Sequence, residues 1–419
     1  MKKFFFIAAA VVAMAACTKT EVQFNETADS NKIGFEVANY TSQVVTKASA
    51  ITSESVYSFH TVANQFPTVG SPVVFMDVNV FPWNGTTQVT AANIESNNIL
   101  TWAPEEDYYW PKTGWINFYS YAGSHTPTVG NDASDKKTVT LTYNNAVIEA
   151  NSNILVADAA LHYGRTNSQT ETYGVDKGET TSSHVTKGVP TLFRHQLAKL
   201  IIDVEARTTE AKKSANTTWT VQVISASTEN TDYVSTITPI NKGTLTLTSA
   251  EPANATTGLY DWAKTTENAV SGWVASSTAS DVETITLSNS DVLTIAENTI
   301  QGYYDTNKKQ SVILAERSVM PQLTNGVVFK LAYKVQAFHG NVKFMEEIRE
   351  VGITETKKIS QLANTVASWN ANQRITYHII IDPVSEKVTF DPAVEEYVAV
   401  DADGDVDKIN VDENGLVNP

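Results

Sequence analysis

Cysteine is almost absent from this sequence, which has one among 419 residues, so no disulfide can form within the chain. Charged side chains make up only 18% of the residues, and acidic ones outnumber basic ones by 46 to 30. Because an acidic exterior repels phosphate backbones, and no basic patch is interleaved with aromatic residues, we expect no nucleic-acid partner. Stability must therefore come from apolar burial, for which a hydrophobic content of 42% is ample.

Long apolar runs are also scarce, and the one that stands out is Phe4–Ala16, between Lys2-Lys3 and Cys17. It is shorter than the roughly 20 residues that a membrane-spanning helix needs. A short apolar run behind a basic start is typical of an export signal. The residues Met14-Ala15-Ala16 are similar to the end of a lipobox, with small side chains for a signal peptidase before a thiol that accepts lipid. The sequence thus predicts lipidation of Cys17, and a conventional cleaved signal is the alternative.

Helix signals are few, and alternation of apolar with polar residues dominates the rest of the chain. Ile33, Phe35 and Val37 point to one side of a predicted strand, and the same period of two recurs over Ala198–Ala206 and Ile375–Ile381. Abundant Thr, Ser, Asn and Val favour pleated, half-buried surfaces. Many short strands joined by turn residues predict an all-β protein built from sandwich domains, with a boundary near residue 190.

The C-terminal residues repeat this alternation and then become acidic. One parity carries Val388, Phe390, Val394, Val398 and Val400. Pro392 and Glu396 interrupt that row, which predicts two short strands in place of one, and a proline without an amide donor predicts an edge position. The tail beyond contains Asp401, Asp403, Asp405 and Asp407, which resemble a calcium loop. The EF-hand glycine position is Val406, however, so we interpret this tail as a solvated acidic segment.

The most aromatic stretch is Tyr108–Ala122, which could form either a sugar-binding platform or sandwich core. We favour core, because Ile116, Phe118, Ser120 and Ala122 alternate with the residues between them.

The sequence contains none of the familiar catalytic or metal-binding patterns. The seven histidines are not at metal-ligand spacing, and no nucleophile elbow, phosphate loop or dinucleotide fingerprint is present. His195 is interpreted as a structural histidine at the edge of a core. The adjacent Glu105 and Glu106 would face opposite sides of a strand, and nothing indicates the facing carboxylates of a glycosidase. We therefore predict no catalytic residue, no cofactor and no metal.

Several motifs in this order resemble the fimbrillin-like family, the subunits of type V pili. They are the lipobox, the early strand followed by Thr46-Lys47-Ala48, the aromatic Tyr109-Trp110-Pro111, the segment Val319–Gln322 and the run Trp369–Asn372. The resemblance covers nearly the whole chain, and it rests on the order and spacing of the motifs together.

The resemblance implies two tandem transthyretin-like β-sandwich domains, over residues 48–190 and 191–385. A signal peptide (1–17) and a propeptide with a removable first strand (18–47) would precede them, and donor strands with an acidic tail (386–419) would follow. Cys17 would anchor the precursor in the outer membrane through its lipid, until a trypsin-like protease cuts between Lys47 and Ala48. Lysine in place of arginine at the cut, and the acidic extension past Val400, are less usual features.

The implied assembly is a strand exchange. The cut would release the strand that carries Ile33, Phe35 and Val37, and the groove it leaves would accept the C-terminal strands of another copy or of a related pilus subunit. Candidate donor residues are Val388, Phe390, Val394, Val398 and Val400.

We favour a stalk subunit of a cell-surface fibre that serves adhesion to a host or bacterial ligand. The alternatives are a tip or anchor subunit of the same pilus, a monomeric surface lipoprotein that binds glycans through Tyr108–Trp115, and a glycan hydrolase.

Overall fold

The computed structural model describes residues 32–38, 58–84, 87–88, 101–111, 113–164, 188–207, 217–224, 233–251, 258–260, 262, 272–287, 291–295, 311–351 and 366–396. Strands make up most of their regular structure, with short 3₁₀ turns at Ala279–Asp281 and Thr324–Gly326, and turns and bends join them. The all-β prediction is confirmed. Among the described residues there is no helix long and apolar enough to cross a membrane.

The strands are numbered in chain order, with these bounds: β1 Phe35–Ala38, β2 Phe59–Phe66, β3 Val73–Trp83, β4 Thr101–Pro104, β5 Trp115–Gly123, β6 Thr128–Asn131, β7 Thr138–Val147, β8 Ile154–Ala157, β9 Ala159–Tyr163, β10 Val189–His195, β11 Ala198–Ala206, β12 Thr217–Val223, β13 Thr236–Thr238, β14 Lys242–Ala250, β15 Gly258–Tyr260, β16 Trp273–Ala275, β17 Ile285–Thr286, β18 Leu293–Ile295, β19 Ser311–Val319, β20 Gln322–Leu323, β21 Val328–His339, β22 Val342–Val351, β23 Ser368–Trp369, β24 Gln373–Asp382 and β25 Lys387–Glu396.

The first large sheet closes on itself. Its strands follow the order β5-β2-β3-β4-β1-β10-β8, and β8 pairs back to β5, which completes a ring of strands. A flattened ring is a sandwich whose two edges are joined, so its inward side chains form one core. We call this set of strands the ring; its interior contains Ile33, Phe35, Val37, Phe59, Ala63, Met76, Val80, Trp102, Trp110, Ile116, Phe118, Ala122, Leu155, Ala157, Ala160, Tyr163, Val189 and Phe193.

The second large core lies between two open sheets. One has the order β19-β11-β24-β25, and the other has the order β17-β13-β21-β12-β18, with β22 also paired to β21. Alternate residues of β11 and β24 face this core, as their period of two predicts: Leu200, Ile202, Val204, Ile375, Tyr377, Ile379 and Ile381 are all buried.

Strands from the second half of the chain also pack on the first half. β14 pairs with β7 in a four-stranded sheet, β15 pairs with β9, and the core behind them mixes residues from both halves. The predicted boundary near residue 190 and the tandem-domain arrangement stay predictions, and backbone pairing crosses that position.

The prediction of two short strands after residue 387 is wrong. β25 runs without a break from Lys387 to Glu396 and pairs along its whole length with β24, including Pro392 opposite Tyr377. The edge prediction is confirmed, because β24 is the one partner of β25 in the described sheet. These two facts are compatible, since a proline whose nitrogen faces the free edge takes no donor from the ladder.

Candidate functional site

The strand predicted to be removable is one of the strands that form the ring. Ile33, Phe35 and Val37 are all buried, and Phe35 has no exposed surface at all. Its ring makes edge-to-face contacts with Phe59 and Phe118, with centroid distances of 5.4 Å and 5.7 Å. Aromatic pairs in this geometry stabilise a core beyond their buried area. The early strand is therefore a central part of the ring core.

The backbone of β1 is paired on both sides. On one side it runs parallel to β10, with Phe35 opposite Val189, and the amide of Val189 donates to the carbonyl oxygen of Gly34 at 2.8 Å. On the other side Phe35 lies opposite Trp102 of β4, and the amide of Ile33 donates to Tyr108 O at 2.8 Å. We call β10 on one side, and β4 with the following residues up to Tyr109 on the other, the two walls of β1. Loss of β1 would leave the facing donors and acceptors of both walls without these bonds.

An ion pair marks the start of this strand. Lys32 Nζ lies 2.8 Å from Asp107 Oδ2, and the backbone of Lys32 makes an isolated antiparallel bridge with Tyr109. Both charged side chains are substantially exposed, so the pair contributes little free energy and mainly fixes where the strand begins.

Hydrogen bonds to residues outside β1 stabilise β10 and the residues just after it. Arg194 makes two hydrogen bonds to the carboxylate of Asp158, at 2.8 Å and 3.0 Å, and Asp158 is buried. Just past the end of β10, the indole of Trp273 donates to Gln196 O at 2.8 Å. A bidentate pair of this kind combines charge with fixed geometry. The strand next to β1 is thus anchored independently of β1.

The predicted donor row divides between core and solvent. Phe390 is 6% exposed and packs edge-to-face on Phe329 at 5.5 Å, and Val388 packs partly buried on the same core. Val394 is 43% exposed. Val398 and Val400 lie outside the described residues, as do Cys17, Lys47, Ala48 and the acidic tail.

The aromatic stretch is core, as we favoured. Trp110, Phe118, Tyr119 and Tyr121 are buried, while Tyr109 is exposed. A platform for glycans needs several exposed rings on one face, and the described residues of this stretch do not provide it.

His195 is buried, with Nδ1 3.2 Å from Asn153 Oδ1, as expected of a structural histidine. His378 is a different case that sequence reasoning missed. Its Nδ1 lies 2.9 Å from Asp203 and its Nε2 lies 2.8 Å from Glu205. The hydrogen bond that His378 donates to Asp203, together with the one that it donates to Glu205, raises the pKa of His378 to about 9. This side chain is therefore a cation at neutral pH, and it joins β11 to β24.

Another buried pair lies on the outside of the ring. Glu251 Oε1 is 2.9 Å from His162 Nε2, and Asn117 donates to the same carboxylate. Burial acts to raise the pKa of Glu251, but the bonds from His162 and Asn117 outweigh it and lower that pKa. Within the described part of the chain no group of three or more His, Cys, Asp or Glu side chains could hold a metal ion.

No protein-family model matches the chain, and no curated protein matches it. Solved structures do match. A fimbrial protein from Bacteroides vulgatus is 13% identical, with a TM-score of 0.40 over 88% of this chain and 99% of that one. A candidate cell adhesion protein from Bacteroides uniformis is 14% identical, with a TM-score of 0.35 over 87% and 98%.

A further match is the tip fimbrial protein Mfa3 from Porphyromonas gingivalis, in a form with a C-terminal truncation. It is 9% identical, with a TM-score of 0.29 over 83% of this chain and 97% of that one. The chain is thus similar to fimbrial and adhesion proteins. At these TM-scores the likeness carries no argument, so the functional argument rests on the strand geometry.

The sequence pattern identified the side chains of β1 and missed its walls. Alternation indicated that Ile33, Phe35 and Val37 face one way, and the structure puts all three in one core. The pairing of β1 with β4 and β10 had no local signal, because both partners lie far along the chain. Alternation predicts only that Lys32 is polar and exposed. It does not predict its bond to Asp107 at the beginning of this segment.

Proposed function

We propose that this protein is a structural subunit of a cell-surface fibre, of the type V pilus kind to which its sequence is similar, and that it has no catalytic role. The precursor is exported as a lipoprotein through Cys17 and is held in the outer membrane. A protease then cuts between Lys47 and Ala48. β1 leaves, and a C-terminal strand from another subunit takes its place. Repetition of this step builds the fibre, which serves adhesion.

One observation carries this proposal. The strand upstream of the predicted cut supplies three buried side chains to the middle of the ring, and both of its backbone edges are paired. A ring without β1 exposes a row of apolar pockets between two unpaired walls. Strand addition restores both the burial and the ladder bonds at once.

Apolar burial favours this step. Reburial of three large apolar side chains contributes about 1.5–3 kcal/mol each before ordering costs. The acceptor groove lies on the ring, whereas β25 lies on the other large core, so the two surfaces are different patches of one chain. Contacts between different patches are head-to-tail, and they give open filaments and not closed rings of subunits.

The test uses the full chain after its signal peptide, treated with a low dose of trypsin and run on a gel without denaturant. We expect a ladder of oligomers that appears only after the cut. The matched control is Lys47→Gln, which removes the predicted site and should stay monomeric under the same treatment. Mass spectrometry of the wild-type product should show that 18–47 has left the oligomers. A cut protein that stays monomeric at high concentration contradicts the proposal.

A further inference from the structure

Two segments far apart in this chain share a sequence pattern, with three of seven positions identical. Lys32–Ala38 reads Lys-Ile-Gly-Phe-Glu-Val-Ala, and Lys387–Ala393 reads Lys-Val-Thr-Phe-Asp-Pro-Ala. Lysine, phenylalanine and alanine recur at the same positions, a branched aliphatic follows the lysine, and an acidic residue follows the phenylalanine. The first segment contains β1 and the second begins β25.

The corresponding residues of the two segments also face the core of their own sheet. Phe35 is buried against Phe59 and Phe118, and Phe390 is buried against Phe329, each by edge-to-face contact. In each strand the aliphatic residue two positions before the phenylalanine faces the same core as that phenylalanine. Ile33 lies with Phe35 in the ring core, and Val388 lies partly buried with Phe390 on the other large core. Each segment is thus a strand with an aromatic anchor at its centre.

We propose that Lys387–Ala393 of a second copy leaves its place beside β24 and occupies the ring in the register of Lys32–Ala38. Phe390 then fills the space of Phe35, and Lys387 lies beside Asp107. This inference rests on the proposed function, and it adds the identity, polarity and register of the incoming strand.

The proline in the incoming segment fits this register. Gly34 accepts from β10, whereas the amide of Ile33 points to the opposite wall. Because strand residues alternate, Ile33, Phe35 and Val37 direct their amides away from β10. Pro392 would replace Val37, so its missing N–H removes no bond of the β10 ladder.

Other registers of the C-terminal row fit less well. A shift that brings Val394, Glu396 and Val398 into the ring buries a carboxylate in the space of Phe35, which is costly without a partner. A shift to Val398, Val400 and Ala402 places valine there and leaves a cavity. The register with Phe390 at the centre avoids both penalties.

The ion pair supplies an independent marker of register. Asp107 is exposed and belongs to the wall, so it stays in place when β1 leaves, and Lys32 Nζ is its partner at 2.8 Å in the intact chain. In the proposed register Lys387 takes over this contact. A shift by one or more residues would move the lysine away from the carboxylate.

The experiment uses synthetic peptides, because substitutions at Phe390 in the whole chain would also disturb its own core. A labelled peptide of residues 386–396 is added in excess to full chain that has been cut with trypsin and freed of the protease, where it competes with the C-terminal strands of other copies, and binding is followed by fluorescence anisotropy. We expect saturable binding. Phe390→Ala in the peptide should weaken it by roughly 100-fold or more, since a large buried ring is lost. Val394→Ala, which lies beyond the matched segment, is the control and should bind nearly as well as the parent.

A charge exchange tests the register directly. Peptide Lys387→Glu should bind about two- to five-fold more weakly to the cut wild-type chain, as expected for an exposed pair. Binding should recover on a cut chain that carries Asp107→Lys. Absence of any coupling between these two positions would contradict the register.

The outcomes separate this inference from the proposed function. If a peptide of residues 396–406 binds and 386–396 does not, the register is overturned while strand exchange stands. If neither peptide binds although cut chains form oligomers, the inference is overturned as well. If cut chains stay monomeric but bind 386–396 through Phe390, the proposed fibre fails and the groove assignment remains.

Discussion

β1 and β25 differ in how many neighbouring strands cover them. β1 has four residues, lies between β4 and β10 in a closed ring, and holds Phe35 with no exposed surface. β25 has ten residues, pairs on one side alone in the described sheet, and leaves Val394 43% exposed. The shorter strand is the better covered one. In these two strands, burial follows the number of neighbouring strands and not the length.

The difference also separates what each strand does for its core. β1 completes a ring, so its loss exposes two walls and the pockets between them. β25 ends a sheet, so its loss shortens that sheet and exposes one edge. Four measurements test this difference between the two strands.

The largest effect is expected at the centre of β1. Phe35→Ala in the uncut chain should lower the free energy of unfolding by about 3–5 kcal/mol, because the ring core cannot close around the lost aromatic ring. Urea unfolding followed by tryptophan fluorescence measures this, since Trp102 and Trp110 lie in the same core. A loss below about 1 kcal/mol would mean that the ring packs without this strand.

Within β25 we expect a steep gradient. Phe390→Ala should cost about 3 kcal/mol, since the side chain packs on Phe329, while Val394→Ala should cost under about 0.5 kcal/mol because the residue is exposed. Both variants can be unfolded in urea beside the parent protein. Equal losses at the two positions would show that the ladder to β24, and not side-chain burial, holds β25.

The neighbour of β25 should make stability depend on pH. His378 on β24 touches Asp203 and Glu205 on β11, and it lies opposite Asp391 of β25. Its folded pKa of about 9 exceeds the unfolded value, so its stabilisation is complete below pH ~6.5 and is lost as the pH rises through ~9. We expect a loss of about 1–2 kcal/mol across that window, after screening at this partly exposed site.

The control for this pH effect is His378→Gln, which cannot become charged. Thermal unfolding between pH 6 and pH 9.5 should show a flatter dependence for the variant than for the parent. A variant with the same slope as the parent would assign the pH effect to other groups.

The smallest effect is expected at the start of β1. Lys32→Ala should lower stability by less than about 0.5 kcal/mol, because both partners of the Lys32–Asp107 pair are exposed. The loss should shrink further when salt is added. A loss above 1 kcal/mol would mean that this pair does more than mark the beginning of the strand.

Local pattern was enough to predict which side chains are buried. Ile33, Phe35 and Val37 alternate with polar neighbours, and burial follows directly from the pleat. Core is also the correct prediction for the aromatic stretch, but alternation predicts one buried face, whereas Phe118 and Tyr119 show that both faces of β5 are buried.

Pairing between distant segments was not predictable from the sequence. The ring closes because β8 meets β5 and β1 meets β10, and period-two patterns contain no information about such partners. A proline usually interrupts a strand, so the sequence alone does not predict that β25 continues through Pro392. At an edge its nitrogen has no ladder partner to lose.

The way the chain enters the ring has a consequence for timing. β1 is the first strand of the ring in chain order, so residues 39–57 are its covalent connection to the next ring strand, β2. Its parallel neighbour β10 is not joined to it by a tight turn. One hydrolysed peptide bond within residues 39–57 makes the strand a separate peptide, whereas any other strand of the ring would need two. After that bond is broken, departure depends on a dissociation rate. If subunits polymerise as proposed, the packing around Phe35 therefore sets a delay between cleavage and fibre growth.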